Sequence, residues 1–233
     1  EEAVTEKISF TQMFKNLFKI LTPQLGLSYI VNMLSTLAIY LGSTLGVYFM
    51  VYYIGDSSKI MLYMFSCMLP VAVASLFGGY LQKYISPKKL LCICYIIVAI
   101  SSCAIWFVGS SSLTLTLICI CICSAAGGIA NVPIMVLIWD LANQASRQKK
   151  VSADATVMSL NSLAIKVAQA LASAVISMVL AITGYVANTE QTTRALNGIL
   201  ALRSLIPALL IVIAIVVLML IRVKNVGGSE NAA

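Results

Sequence analysis

The residues best suited to chemistry lie on one face of the fifth long apolar segment. At 100° per residue, six polar side chains fall within an arc of about 80°: Ser159, Ser162, Lys166, Gln169, Ser173 and Ser177. Such a stripe can bind a polyol or line an ion path, because polar faces do not point at lipid. The alternative is that the hydroxyls bond only to their own helix and that small residues only let helices pack closely.

Lys166 is the strongest single candidate in this stripe. If its helix begins near Ala155, the lysine is eleven residues deep, which is about 16 Å by helical rise. A stem of about 6 Å does not reach either headgroup layer from there. Since no carboxylate inside the apolar segments can pair with it, we expect Lys166 to meet a water-filled cavity, a ligand or an acidic group outside this chain.

Two other apolar segments carry similar stripes. Helical spacing groups five residues on the first segment, Tyr29, Asn32, Thr36, Tyr40 and Ser43, and five on the fourth, Ser124, Gly127, Gly128, Asn131 and Met135. We expect the striped helices to surround a central pathway, with the third and sixth segments facing lipid. Tyrosine rings there could stack on a sugar face while amides and hydroxyls bond its oxygens, which suits a neutral polyol.

Several chemistries are excluded by residues that the chain lacks. It has no histidine, so Ser-His-Asp and zinc hydrolysis are excluded within this chain. The spans contain no paired carboxylates, and the seven cysteines all lie in apolar runs without CxxC spacing, as packing residues do. We therefore predict no enzymatic activity, no metal site and no cofactor. The +7 net charge does not indicate nucleic acid either, because the basic residues punctuate apolar runs.

The elements that position the stripes are six predicted transmembrane helices. The chain has 233 residues, of which 61% are hydrophobic and 10% charged, with a mean hydropathy of +0.99, so it is a membrane protein. The expected spans lie near 25–54, 60–82, 89–109, 113–139, 156–186 and 196–222. Residues 1–24 are predicted to form a cytoplasmic linker with a basic amphipathic helix, and residues 223–233 a cytoplasmic tail.

The basic residues predict how the spans run. Eleven fall on one side of the expected membrane: Lys7, Lys15, Lys19, Lys83, Lys88, Lys89, Arg147, Lys149, Lys150, Arg222 and Lys224. Three fall on the other: Lys59, Arg194 and Arg203. By the positive-inside rule, both termini are cytoplasmic and the protein crosses the cell membrane several times. Because the chain starts at Glu1 without a signal peptide, we expect it to be a fragment whose natural N-terminus lies upstream.

Three stretches resemble the glycoside-pentoside-hexuronide:cation symporters, the melibiose-permease-like branch of the major facilitator superfamily. The string GYVANTEQTTRALNG at 184–198 resembles an outer loop of that family. The string KVAQAL at 166–171 is similar to its eleventh-helix motif. Asp140 matches the first Asp of its Asp-x-x-Asp-Tyr-x-Glu signature, of which the other acidic and tyrosine positions are replaced by Asn143, Gln144 and Ser146.

The resemblance covers the whole chain as the C-terminal six-helix half of a twelve-helix fold. It implies that the N-terminal half of the same transporter is the partner, that a neutral sugar or glycoside is the substrate, and that Na⁺ or H⁺ binds mainly in that N-terminal half. It also implies that Lys166 couples cation and sugar, that Asn161 and Ser162 lie near the sugar, and that Asn131 replaces an aromatic residue. Asp140 would belong to the cytoplasmic gate, or else be a solvated helix-end charge or a partner for Arg147.

Two other functions compete with symport. The chain could be a self-sufficient six-helix channel or exporter that acts as a homodimer. Alternatively, it could be a membrane scaffold that does not transport, because the cytoplasmic signature is eroded.

Overall fold

A computed structural model describes residues 22–109, 111–149, 154–187 and 189–221. The α-helices in these ranges are α1 (Pro23–Tyr48), α2 (Ile60–Leu81), α3 (Pro87–Val108), α4 (Leu113–Lys149), α5 (Asp154–Thr183), α6 (Thr193–Arg203) and α7 (Leu205–Leu220). Since α6 and α7 together form one segment, six helical segments of the described chain are long and apolar enough to cross a membrane. The predicted all-α membrane fold is therefore confirmed. The amphipathic helix expected before Pro23 and the tail at 223–233 lie outside the described residues.

The ends of α1 follow from its sequence. Thr22 is the N-cap, with its Oγ1 accepting a hydrogen bond from the Leu25 amide at 3.3 Å, and Pro23 occupies the first turn. At its other end the helix widens into a π-helical turn, Phe49–Tyr53. The chain then turns at Gly55, whose φ of +76° is a backbone conformation that glycine adopts without a steric penalty. The first span thus ends close to its predicted limit at residue 54.

The fourth helix extends beyond its apolar run. Charges and turn residues predicted an end near residue 139, whereas α4 continues to Lys149. The added stretch, LANQASRQK, is polar on average but keeps an apolar face, because Leu141, Ala142 and Ala145 are buried in the core. Hydropathy therefore marks the apolar part of this helix and not its end.

The sixth segment is broken at Ser204, between α6 and α7. Pro207 lacks an N–H group, and its ring clashes with the carbonyl of the residue four positions earlier, which is Arg203. Helical bonding persists on both sides, because the Ser204 amide donates to the Leu200 oxygen at 3.0 Å and the Ala208 amide to the Ser204 oxygen at 3.1 Å. The break leaves Arg203 as the last residue of α6, where its side chain is buried in the bundle.

The helices pack side by side as an open arc in the order α2, α4, α3, α7, α1, α5. Helices α1 and α4 also pack against each other, whereas α2 and α5, at the two ends of the arc, share no extensive contact among the described residues. These end helices are the least buried, with 11% of the apolar window of α2 and 22% of that of α5 inside the bundle. One side of the bundle is therefore open, with α1 and α4 forming its floor.

Glycines bring α2 close to α4. A Cβ atom added at Gly128 would lie 2.7 Å from the carbonyl oxygen of Val71, and one at Gly78 would lie 2.9 Å from that of Ile129. Such small residues let helix backbones approach closely within a membrane. The rest of the interior consists of two aliphatic clusters, one around Leu91, Leu137 and Leu218 and the other around Leu41, Ile105 and Ile199.

Candidate substrate pathway

Tyr40 and Gln169 connect two of the predicted stripes. The Gln169 side-chain amide donates to the Tyr40 hydroxyl at 2.7 Å, and the Tyr40 side chain remains 38% exposed. Tyr40 lies one turn from Ser43, which lines a cavity formed by α1, α2, α3 and α4 together with the region of the α6–α7 break. The pair thus joins α5 to α1 beside the open side of the arc, with polar groups accessible to a solute.

Lys166 lies on the exposed face of α5. It is one turn from Gln169 and one turn from Ser162, which is also exposed. Among the described residues, no carboxylate oxygen comes within 4 Å of the Lys166 ammonium. The salt bridge found in that part of the chain joins Lys59 to Asp56 at 3.0 Å and does not involve Lys166. Within the part of the chain that the structure describes, Lys166 is therefore an exposed cation in the middle of a membrane-length helix.

Asn161 lies on a different face of α5 from Lys166. Its Oδ1 accepts a hydrogen bond from Asn32 Nδ2 at 2.7 Å, and its Nδ2 donates to the Met135 sulfur at 3.6 Å. Nearby, the Tyr29 hydroxyl donates to the Val157 carbonyl at 3.1 Å. Asn32 and Asn161 are each 5% exposed, so these candidate site residues come together as a contact between α1 and α5 and not on the open side.

The remaining candidates lie on the floor of the arc or beyond it. Asn131 is exposed on α4 and lines the same cavity as Ser43, whereas Thr36 on α1 is half-buried. Asp140 is exposed nine residues further along α4, about 14 Å by helical rise. No ion pair joins Asp140 to Arg147 in the described chain. The structure therefore does not place Asp140 beside Asn131.

A cavity of about 350 Å³ opens into the floor, and one of its lining residues, Arg203, belongs to none of the predicted polar stripes. Arg203 lines it with a side chain that is 4% exposed, and its Cζ lies 5.6 Å from the centre of the Tyr63 ring. The Tyr63 hydroxyl donates to the Gly42 carbonyl at 2.8 Å, which holds the ring beneath the guanidinium. The distribution of basic residues in the sequence places Arg203 among the outer-side charges. A usable signal existed, because Pro207 follows it by four residues in an otherwise aliphatic run.

An aromatic cluster covers the end of α1 that is opposite its N-cap. Tyr185 packs edge-on against Tyr48 and Tyr52, with ring centroids 5.6 and 5.2 Å away. Burial, assisted by the Tyr52 hydroxyl, raises the pKa of Tyr185 above its usual range. The Tyr185 phenol therefore stays neutral at physiological pH, and the three rings form an aromatic cover at this end of α1.

Comparison with known proteins identifies a family and two relatives. The family model described as MFS/sugar transport protein matches residues 1–225. An uncharacterized 29.9 kDa protein in the crtE 3′ region of Pseudescherichia vulneris is 29% identical over 181 residues, which are 76% of this chain and 66% of that protein. The uncharacterized symporter YnaJ of Bacillus subtilis (strain 168) is 28% identical over 217 residues, which are 91% of this chain and 45% of that protein. The chain thus spans part of the length of both relatives.

Proposed function

The chain belongs to the MFS/sugar transport protein family, and on that premise we propose that it is the C-terminal six-helix half of a sugar:cation symporter. A neutral sugar or glycoside binds between two six-helix halves, and rocking of one half against the other exposes it alternately to either side of the cell membrane. The partner is the upstream half of the same transporter. That half also supplies most of the groups that bind the coupling cation, Na⁺ or H⁺.

The observation that carries this proposal is the open side of the helical arc. A complete bundle would close α2 against α5, whereas these helices remain apart and are the least buried of the set. Tyr40, Asn131 and Lys166 are exposed in helices of membrane length, where contact with lipid costs free energy. A second bundle packed across the open side would remove these groups from lipid and enclose a polar pathway.

Two further observations support coupled sugar transport. The relative from Bacillus subtilis is described as a symporter, and the chain aligns with 45% of it, as half of a twice-longer carrier would. The outer-loop string at 184–198 and the string at 166–171 resemble the glycoside-pentoside-hexuronide:cation symporters. Symport of a glycoside is therefore the mechanism we propose.

The candidate residues take different roles in this mechanism. Tyr40 and Gln169 present a hydroxyl and an amide to the sugar. Thr36 shares the α1 stripe with Tyr40, Ser162 shares the α5 stripe with Gln169, and Asn131 contributes from α4. Lys166 balances acidic groups across the pathway, so that its charge couples cation binding to sugar binding. Asn32, Asn161 and Tyr29 hold α1 against α5, and Asp140 contributes to the cytoplasmic gate.

Uptake by the full reading frame that contains this chain tests the proposal. Cells that express it should accumulate a glycoside or pentoside against its gradient, and collapse of the Na⁺ or H⁺ gradient should abolish the accumulation. Lys166→Met should lose accumulation at normal expression, whereas Lys89→Met, the same change at an exposed lysine in the first turn of α3, should retain it. Unchanged cation-stimulated accumulation by Lys166→Met would contradict the coupling role.

Transport assays also distinguish the proposed half-transporter from a self-sufficient homodimer and from a scaffold that does not transport. If residues 1–233 alone, reconstituted in vesicles, transported sugar as a crosslinked pair, a self-sufficient homodimer would replace the half-transporter. If the full reading frame bound and moved no sugar in any imposed gradient, the scaffold would replace it. We expect transport only when the upstream six helices are present.

A further inference from the structure

The cavity in the floor of the arc is mostly apolar but contains a buried cation. It is formed by α1, α2, α3 and α4 together with the region of the α6–α7 break, and its volume of about 350 Å³ is within the range of small-molecule sites. Aliphatic side chains supply much of the wall, including Ala38, Val71, Val98, Ile134 and Ile211. Arg203 provides the positive charge.

The charge of Arg203 has no anionic partner in the described chain. A guanidinium stays protonated in proteins, so burial cannot neutralise it as it would a lysine or a histidine. Its Nε atom is buried without a hydrogen-bond partner, and no carboxylate oxygen comes within 4 Å of its nitrogens among the described residues. The ring of Tyr63 offsets part of the cost by a cation–π contact, which does not replace a counter-ion.

We propose that this cavity binds a small organic carboxylate, whose anionic group meets Arg203 and whose apolar body lies against the aliphatic wall. Tyr40, Gln169 and Lys166 do not line this cavity, although Ser43 and Asn131 of the α1 and α4 stripes do. The proposal does not depend on sugar transport. A planar guanidinium and a carboxylate match in geometry, and the pair strengthens when water is excluded. Gly42 leaves room for the guanidinium itself, because an added Cβ there would lie 3.2 Å from Arg203 Nη1.

The wall chemistry favours this ligand class over the two simplest alternatives. A bare inorganic anion would leave most of the apolar cavity unfilled, which forfeits the gain from removing apolar surface from water. A neutral ligand would leave the buried guanidinium uncompensated. A carboxylate with a compact apolar body neutralises the charge of Arg203 and also fills the space between the aliphatic side chains.

The test compares benzoate with benzamide, which has the same shape but no charge at neutral pH. The purified full-length protein is held in a neutral detergent without added lipid, and its thermal unfolding midpoint is followed against ligand concentration. We expect benzoate to give a saturable stabilisation that benzamide does not give. Equal effects of the two compounds, or an equal effect of chloride, would overturn the proposal.

Variants test whether the stabilisation by benzoate depends on Arg203. Arg203→Met should weaken benzoate binding about tenfold or more, because it removes the charged partner of a buried pair. Arg203→Lys should keep part of the preference for benzoate over benzamide. Arg194→Met is the matched control, since Arg194 is exposed in the first turn of α6, and it should bind benzoate as the unaltered protein does. Unchanged binding by Arg203→Met would contradict the assignment.

A measurement on the unaltered protein avoids the possibility that Arg203 variants fail to fold. Cys67 lines the cavity, whereas Cys103 is exposed on α3 away from it. Benzoate should slow alkylation of Cys67 by N-ethylmaleimide severalfold, as read by mass spectrometry of the individual cysteines, and should leave Cys103 unaffected. Equal rates at Cys67 with and without saturating benzoate would place the bound ligand elsewhere and overturn the proposal.

Discussion

Asn32 donates a hydrogen bond to Asn161 across 2.7 Å, and each side chain is 95% buried between α1 and α5. Removing one amide from such a pair leaves the other without its partner in an apolar setting. The resemblance to sugar symporters had placed Asn161 near the substrate, whereas the structure gives it a second contact with Met135 on α4. Asn161 therefore stabilises the junction of three helices.

Asn161→Ala should lower the free energy of unfolding in detergent by about 1–3 kcal/mol, because it leaves the Asn32 amide buried and unsatisfied. Denaturant titration measures this, and a double-mutant cycle with Asn32→Ala should show that the two effects are not additive. Ser162→Ala, at the exposed neighbouring position, should change stability little. Normal stability of Asn161→Ala combined with a raised KM for sugar would instead indicate a substrate contact.

Gly128→Ala should destabilise the bundle, since its new methyl group would lie 2.7 Å from the Val71 carbonyl oxygen and force α2 away from α4. We expect a loss of about 1–3 kcal/mol, as for other overpacked sites. Gly127→Ala is the matched control, because nothing lies within 4 Å of the added atom, and it should be neutral or stabilise by about 0.5–1 kcal/mol. Equal thermal stabilities of the two variants would show that the close approach does not constrain packing.

Tyr40→Phe should raise the KM for the transported sugar while leaving stability almost unchanged. The Tyr40 hydroxyl bonds Gln169 at a position open to water, so its loss leaves no buried group unsatisfied. Gln169→Ala should act in the same direction, and the double variant should lose less than the sum of the two single effects. Uptake kinetics measure this, and an unchanged KM in both single variants would remove the pair from the substrate pathway.

Lys166→Arg should lose concentrative uptake nearly as completely as Lys166→Met, which removes the charge. A planar guanidinium with five donors does not replace a compact ammonium in a site shaped for the latter. Vesicles with an imposed cation gradient measure coupling directly, and expression level serves as the control for folding. Full coupling in Lys166→Arg would show that position 166 needs only a positive charge.

Ser111→Cys should react with an impermeant thiol reagent from outside the cell, and Ser86→Cys should not. Both positions are exposed at helix ends, Ser111 before α4 and Ser86 before α3, on opposite sides of the membrane according to the distribution of basic residues. The experiment uses a background from which the seven native cysteines have been removed. The reverse labelling pattern would invert the orientation of the whole bundle.

The periodicity and hydropathy of the sequence were sufficient for the membrane class and the six apolar segments. Hydropathy and a 100° rotation per residue are local properties, so the polar face that Ser162, Lys166 and Gln169 share on α5 could be predicted without any tertiary information. Helix ends were less predictable, because α4 continues through a polar stretch that hydropathy treats as a loop. Leu141, Ala142 and Ala145 are buried in the core there, so the helix continues with a narrow apolar face that mean hydropathy does not detect.

Tertiary structure decided which polar residues meet one another. Tyr29, Asn32 and Tyr40 share one sequence stripe, yet the first two bind buried partners on α5 while Tyr40 remains accessible. Arg203 looked like an outer-side charge until the break before Pro207 and the ring of Tyr63 placed it inside a cavity. The physical reason is that the period of a helix identifies a face, whereas the neighbour against which that face packs depends on residues more than a hundred positions away.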